Sequence, residues 1–407
     1  MSDGLASVII PVWNGKRYLA QCISAVLAQE DVDCEIIAVD NASSDGSADW
    51  VAATFPAVRL IRHGQNLGFS GGCNAGLKAA SGDVLVLLNQ DARVCPGWLS
   101  ALRGALEDPR VGVAGCRVLY PDGETLQHAG GRIEWPLGLA RHDGQGELTG
   151  QQWAAPRQVE YVTGAAMAFR RDVMDRVGLL DEGFWPGYFE DADYCFRVRE
   201  GGYEVWYIPD AAVIHEETTS LTQPAALARA YERGRLRFTL KHTSPRRFLE
   251  SFVPAERDYQ MRMARGPGGD SLRMAYLEAI PAAASILARR WQADVETIDQ
   301  VLLALQQLYR APRADSISLI PALQEFEFSS SLPVIGPVIA RLRSLWYGVA
   351  ARWGIRSLIE QQEAINQQQD VYARSLLSLS QEVARLIHER GSGPDGSSGQ
   401  GPRRQDR

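Results

Sequence analysis

No run of about 18 uncharged apolar residues occurs in the chain, so a membrane-spanning helix is not expected. Basic excess is also missing. The 407 residues carry a formal net charge of −7, which argues against a general nucleic-acid binder, since such proteins show a basic stripe. Cysteine is sparse and one-sided: Cys22, Cys34, Cys73, Cys95, Cys116 and Cys195 all lie in the first half. They show neither metal-type pairing nor a disulfide framework, so reduced thiols in a cytoplasmic setting are the expected state. The opening MSDGLASVIIPVWNG lacks a basic n-region and a long apolar h-region, and no signal peptide is read. The glycine-rich NLGFSGGCNAG (residues 66–76) lacks both the Lys-Ser/Thr ending of a P-loop and the dinucleotide-binding spacing, so neither a P-loop kinase nor a dehydrogenase follows.

What is present reads as an ordinary folded protein. Hydrophobic residues make up 45% and charged residues 22%, enough for one large core plus an appendage. Up to about residue 220, short apolar runs alternate with amphipathic stretches. SVIIPV, CEIIAVD, VRLIRH and DVLVLLNQD read as strands. RYLAQCISAVLAQE, residues 47–55, SGGCNAGLKAA and PGWLSALRGALED read as helices, the last with Pro96 in its first turn. Such alternation predicts an α/β fold with a parallel sheet covered on both faces. Ligands of such sheets sit beyond the carboxyl ends of the strands. Asn14, Asp40 and Asp91 fall there.

The most informative stretch is GYFEDADYCFRVREGGYEVWYIPDAAVIH, residues 187–215. Glu190, Asp191 and Asp193 crowd three carboxylates into four residues, which costs little only where they are solvated, paired, or used on a cation or proton. His215 closes the strand-like run that follows. With Asp91 after VLLNQ, the two segments read as halves of a metal-assisted transfer site. Each residue also has a plainer reading. Asp40 opens DNASSDGS, a helix-capping and turn composition; its functional reading is to accept a hydrogen bond from a pyrimidine imide. The glycines of 66–76 could form a bare turn, or offer helix-start amides to phosphate. Asp91 could cap a helix, and His215 alone could be a core or surface histidine.

In order along the chain, VIIPVWNG, VDNASSDGS, NLGFSGGCNAG, LLNQDA, VTGAAMAFRRDVMDRVGLLDEGF and FEDADYCFRVREGGY…VIH resemble a family-2 glycosyltransferase of the GT-A fold. The likeness is to the rhamnosyltransferase-like branch of bacterial surface-polysaccharide assembly and covers roughly residues 7–241. It implies a Rossmann-like, mostly parallel sheet and an inverting, metal-dependent transfer from a nucleotide-diphosphate sugar to a hydroxyl. By the same resemblance, Pro11, Asn14 and Asp40 hold the nucleoside, while Gly68, Gly71 and Asn74 lie near the ribose and diphosphate. Asp91 and His215 hold Mn²⁺ or Mg²⁺, Asp191 is the general base, and Glu190 orients the acceptor. One carboxylate plus one imidazole suffices for a hard cation whose remaining positions go to phosphate and water, and the imidazole tilts the choice toward Mn²⁺. Asp193 is expected to cap its helix or pair with Arg197. The sequence departs from the family at Asn89, where the metal motif usually begins with Asp; weak or replaceable metal binding is the expected consequence. The Gly-rich residues 128–147 read as a mobile loop over the site.

The expected domain plan is a glycosyltransferase domain at 1–245 and a helical region at 246–328. An amphipathic, membrane-interface helix follows at 329–357, with Trp346, Tyr347 and Trp353 among Arg341, Arg343 and Arg352. A coiled-coil helix at 358–390 and a disordered tail at 391–407 complete it. Leu358, Ile365, Tyr372, Leu379 and Leu386 carry the heptad, from which a homo-oligomer is expected. The anticipated partners are a nucleotide-diphosphate sugar, with dTDP-rhamnose favoured, a glycan or lipid-linked acceptor and a membrane surface, with no nucleic acid. The anticipated location is cytoplasmic, peripheral on the inner face of the cell membrane. Two other classes were weighed. A nucleotidyltransferase would need a basic Gly-rich loop after the first strand, of which PVWNGKRY is a weak version; a docking scaffold would not need Asp91, Asp191 and His215.

Overall fold

The first unit, Met1–Thr243, is built on strands that alternate with helices as the apolar runs predict. A computed structural model describes residues 4–30, 32–216, 224–263, 269–310 and residue 385. Strands β1 (Ala6–Val12), β2 (Cys34–Asp40), β3 (Arg59–Arg62) and β4 (Val84–Leu88) lie side by side in the order β3-β2-β1-β4, all parallel. Helices α1 (Lys16–Leu27), α2 (Ser47–Thr54) and α3 (Gly68–Ala79) connect them. Side chains of β1 alternate between faces, as a strand requires. Ala6, Val8, Ile10 and Val12 join the core beneath α1 and α4 (Trp98–Leu106), while Ile9 joins the opposite core with α3. Both faces are therefore apolar, which is why these strands read as unbroken hydrophobic runs.

Past β4 the sheet changes character. β5 (Ala92–Val94), β6 (Val111–Leu119), β7 (Leu126–His128), β10 (Arg157–Gln158), β11 (Ala166–Arg170) and β12 (Glu204–His215) complete it, and β8 (Gly131–Glu134) pairs with β9 (Leu139–His142) as a separate hairpin. β11 is inserted antiparallel between β4 and β6, while β12 runs parallel to β6. The sheet is thus mixed α/β, with its central strands mostly parallel. The insertion has a consequence for position. A strand running backwards delivers its preceding loop, residues 161–165, to the rim where β4, β6 and β12 end. The backbone N–H of Asn89 donates to Ala165 O there at 2.9 Å. Helices α5 (Arg171–Val177), α6 (Glu190–Glu200) and α7 (Pro224–His242) follow, and Val173, Tyr194, Val198 and Phe238 join the core on the α3 side.

Two local expectations are corrected. The fourth helix begins at Trp98, not with Pro96 in its first turn, because Gly97 takes a left-handed φ of 77° as its cap. Residues 128–147 are not a loose loop: they contain the β8–β9 hairpin, in register from Gly131↔His142 to Glu134↔Leu139.

In the second unit, Ser244–Arg407, the described part is helical. Pro245–Arg247, a π-helical turn at Phe248–Phe252 and Val253–Met263 precede the longer Gly269–Arg290 and Val295–Arg310. Leu272, Ala275, Tyr276 and Ala279 share a buried face, and so do Ile298, Val301, Leu302 and Leu305. The Tyr276 hydroxyl donates to Glu256 Oε1 at 2.6 Å. No described helix is long and apolar enough to cross a membrane. The helices expected at 329–357 and 358–390 and the tail at 391–407 lie outside the described residues, apart from Arg385.

Gly115 in β6 tests how tightly the two halves of the sheet are packed. A Cβ at this position would come within 2.3 Å of Val162 Cβ and Cγ1. Gly115→Ala is expected to lower unfolding free energy by about 1–3 kcal/mol, measured by urea titration, because overpacking a rigid core forces neighbours off their rotamers.

Candidate active site

The register of two antiparallel strands brings the distant metal-ligand candidates together. β5 pairs with β12 so that Ala92 faces His215, which sets Asp91 beside the same histidine. Asp91 Oδ1 lies 3.1 Å from His215 Nε2, both side chains almost fully buried. Glu216 N donates to Asp91 O at 3.2 Å, closing the ladder. His215 Nδ1 sits 2.7 Å from Gln127 Oε1, an acceptor, so Nδ1 carries the hydrogen and Nε2 presents a lone pair. A lone pair and a carboxylate oxygen 3.1 Å apart repel unless a proton or cation lies between them. Asn89 Nδ2 donates to Nε2 from 3.2 Å. These atoms fit a hard divalent cation with two protein ligands. Among the described residues no group of three or more His, Cys, Asp or Glu side chains gathers as a complete cage, so phosphate oxygens and water would have to fill the remaining positions.

The second half of the site is the start of α6. Tyr188 and Phe189 both take left-handed backbone, with φ of 78° and 71°. That conformation is costly for residues with a Cβ. It turns the chain sharply, so the three acids that follow leave in different directions. Asp191 reaches the cavity wall, where its Oδ2 accepts from Gly164 N at 2.9 Å and its Oδ1 from Ala192 N at 2.7 Å. Burial raises its pKa, opposed by those two amides and by His142. Glu190 is buried, with Oε2 lacking a hydrogen-bond partner. Burial first, then the charge on Asp191, pushes its pKa well above the carboxylate range. Asp193 goes the other way, into the protein. Burial would raise it, but a hydrogen bond from His242 and the charges of Lys241 and Arg197 outweigh that and hold it far below the usual value. Lys241 Nζ is 2.6 Å and His242 Nε2 2.9 Å from Oδ1, and Arg197 Nε donates to Oδ2 at 2.9 Å. The expected Asp193–Arg197 pair is present, with Lys241 and His242 of α7 as two further partners.

Glu190, Asp191, Asn89 and His215 line one cavity of about 330 Å³ together with Phe69 and Tyr231. Gln127, His142 and Tyr161 are among its lining residues that the sequence reading does not name as candidates. The glycine content of residues 128–147 placed this segment over the site, without singling out His142.

The remaining candidates stand at the β1–β2 end of the rim. Asn14, at φ 50°, accepts from Ser44 N at 2.8 Å and so ties the loop after β1 to the loop after β2. Asp40 is buried and accepts from Ser43 N at 3.3 Å, the turn-capping geometry that its composition allowed. Pro11 lies against Gly72, where an added Cβ would be 3.3 Å from Pro11 Cβ. The glycine stretch is corrected. The amide of Gly68 donates to Asn66 Oδ1 at 2.8 Å and that of Phe69 to Pro186 O at 2.9 Å, so these helix-start donors are already used inside the protein. Gly68, at φ 73°, leaves room for Trp185, which an added Cβ would meet at 2.7 Å, and at Gly71 an added Cβ would meet Leu67 at 2.6 Å. Asn74 is 2% exposed and spends its amide on Leu180 and Glu182, so it positions the chain leading into α6.

Residues 7–178 match the family described as Glycosyl transferase family 2. An uncharacterised protein of Sinorhizobium fredii is 31% identical over 227 residues, 53% of this chain and 25% of that protein. An N-acetylglucosaminyl-diphospho-decaprenol L-rhamnosyltransferase of Mycobacterium tuberculosis is 27% identical over 247 residues, 54% of this chain and 78% of that protein. The chain thus spans only a quarter of the length of the first of these relatives. In three dimensions it is similar to GalNAc-T7, solved with UDP, GalNAc and Mn²⁺, with a TM-score of 0.51 and 17% identity over 70% of this chain and 58% of that one.

The opposed acids of α6 give two stability predictions. Asp193→Asn is expected to cost about 3–5 kcal/mol in urea unfolding, because it leaves buried cations unmatched. Its depressed pKa means that its stabilisation is present above the unfolded value, about 3.9, and falls away only as pH drops toward the folded one. Glu190 has the opposite sign: its raised pKa favours the fold below about pH 4.3, and that contribution is lost as pH rises through the folded value. Glu190→Gln should therefore gain stability relative to wild type on going from pH 4 to pH 8, read by urea unfolding at both values.

Proposed function

Because its first unit belongs to glycosyl transferase family 2 with a GT-A fold, we propose that this protein is an inverting, metal-assisted enzyme of cell-surface polysaccharide synthesis. It moves a sugar from a nucleotide-diphosphate donor to a hydroxyl of a glycan or lipid-linked acceptor. The observation that carries this reading is the meeting of Asp91 and His215 at 3.1 Å, with His215 lining the cavity that also holds Asp191. The likeness to a protein named as a rhamnosyltransferase favours rhamnose as the sugar, and dTDP-rhamnose as the donor to try first.

In this reading Asp40 and Asn14 receive the nucleoside at the β1–β2 end of the rim, and the diphosphate lies toward β4 and β12. Asp91 and His215 would hold Mn²⁺ or Mg²⁺, which supplies positive charge to the departing diphosphate. Asp191 faces the cavity where the acceptor hydroxyl would sit, and as that oxygen attacks the anomeric carbon, its proton passes to the carboxylate. The amides of Gly164 and Ala192 fix both oxygens of that carboxylate and favour its ionised form against the cost of burial. Glu190, its pKa raised by burial and by the charge on Asp191, lines the same cavity and orients the acceptor sugar. Tyr188, Tyr231 and Phe69 give the cavity apolar walls on which a sugar ring can rest.

Two measurements test this. Asp191→Asn should lower transfer by about 10²–10⁴-fold with nucleotide affinity retained, measured by product formation and by calorimetric titration with dTDP; turnover near wild type would remove Asp191 as the base. Chelation with EDTA should abolish turnover of the wild-type chain, with Mn²⁺ restoring it. Asp91→Ala should need a higher Mn²⁺ concentration for the same rate, and an unchanged Mn²⁺ dependence would remove Asp91 from the metal site.

A further inference from the structure

Two histidines outside the proposed transfer chemistry stand against its carboxylate wall. His128 ends β7 and is 1% exposed; His142 ends β9 and lines the cavity that also holds Asp191. Their Nδ1 atoms are 2.8 Å apart, with the rings edge to face at 77°. At that distance the two nitrogens share one hydrogen.

The owner of that hydrogen is decided on the far side of His128. The backbone N–H of Thr163 points at His128 Nε2 from 3.2 Å. A backbone amide can only donate, so this Nε2 accepts and the ring hydrogen of His128 sits on Nδ1. His128 then donates to His142 Nδ1. A neutral His142 is left with its hydrogen on Nε2. The reverse tautomer would place two N–H groups head to head between the rings. Burial, reinforced by His142 and Arg157, holds the His128 pKa well below the usual range, which keeps that ring neutral. Packing holds the pair in place: the Tyr161 ring centroid is 5.7 Å from His128 and 6.0 Å from His142, and the Tyr161 hydroxyl is tied to Arg141 O at 3.1 Å. The donors run one way, from Thr163 to His128 to His142.

We propose that His142 is a positioning residue for the transfer, fixed by His128 as the Nε2–H tautomer and donating to the Asp191 carboxylate. The proposal rests on the reading of Asp191 as the group that takes the acceptor proton. Asp191 already accepts from the amides of Gly164 and Ala192, and a donor from β9 supplies the third direction. The pair orients but does not relay protons, since His142 Nδ1 is occupied by the His128 hydrogen.

The test uses the full chain with ¹⁵N-labelled histidine and ¹³C-labelled aspartate, observed by NMR without donor or acceptor. The expected spectrum has His128 protonated on Nδ1 and His142 on Nε2 at pH 7. A His142 carrying its hydrogen on Nδ1 would overturn the proposal. The Asp191 carboxyl signal is then titrated, against a background set by Glu190 on α6, Tyr161, and Cys195 on the next turn of α6. His142→Leu should move its midpoint upward, while His142→Gln, which keeps a donor near the Nε2 position, should leave it close to wild type. Equal midpoints in all three proteins would also overturn the proposal. Should the leucine variant not fold, the wild-type tautomer and the glutamine variant still decide. Failure here is distinct from failure of the base assignment, which would show as an active Asp191→Asn protein with the histidine tautomers unchanged.

Discussion

Everything at the site depends on how three neighbouring carboxylates are accommodated at one helix start. Glu190, Asp191 and Asp193 cannot all be buried as anions without compensation. The fold separates them. Asp193 is driven inward and matched by Arg197, Lys241 and His242, which ties α7 to α6. Lys241 also reaches Asp181 at 2.7 Å, and Arg237 reaches it at 2.8 Å, so the same cations hold the segment before α6. With one acid neutralised by salt links, the other two can face a cavity with their pKa values raised. The tether and the reactive wall have one electrostatic origin.

A similar economy governs the proposed metal-ligand pair. Asp91 and His215 are 124 positions apart, yet a two-strand register fixes their contact. The β5–β12 ladder leaves the pair little freedom, and Gln127 fixes the histidine tautomer from behind. Ligands placed by strands and oriented by a second layer are held more firmly than ligands on loops. The histidine pair on β7 and β9 repeats the arrangement at the same cavity. In both cases the group behind the functional side chain decides which of its atoms carries hydrogen.

Glycine serves the site indirectly. At Gly68 and Gly71 the missing Cβ admits Trp185 and Leu67. Asn74 is likewise turned toward Leu180 and Glu182. This helix positions the segment that carries the acids. The same residue types at the same helix start could serve either purpose, because local composition states that an amide is available, not which acceptor comes to it.

The strand–helix alternation, the strands with both faces buried and the rim carrying Asn14, Asp40 and Asp91 were legible from order and hydrophobic period alone. These features depend on neighbours in sequence, where each residue reports its own burial. The antiparallel insertion of β11, the hairpin at 131–142 and the recruitment of Gln127, His142 and Tyr161 were not legible. They arise from pairings between segments tens of residues apart, and no local period encodes a partner at that distance. The sequence by itself determined which acids exist and that one helix start must hold three of them. Only the tertiary structure decided which acid is matched by α7 and which two face the cavity, because that choice is made by charges and amides arriving from other parts of the chain.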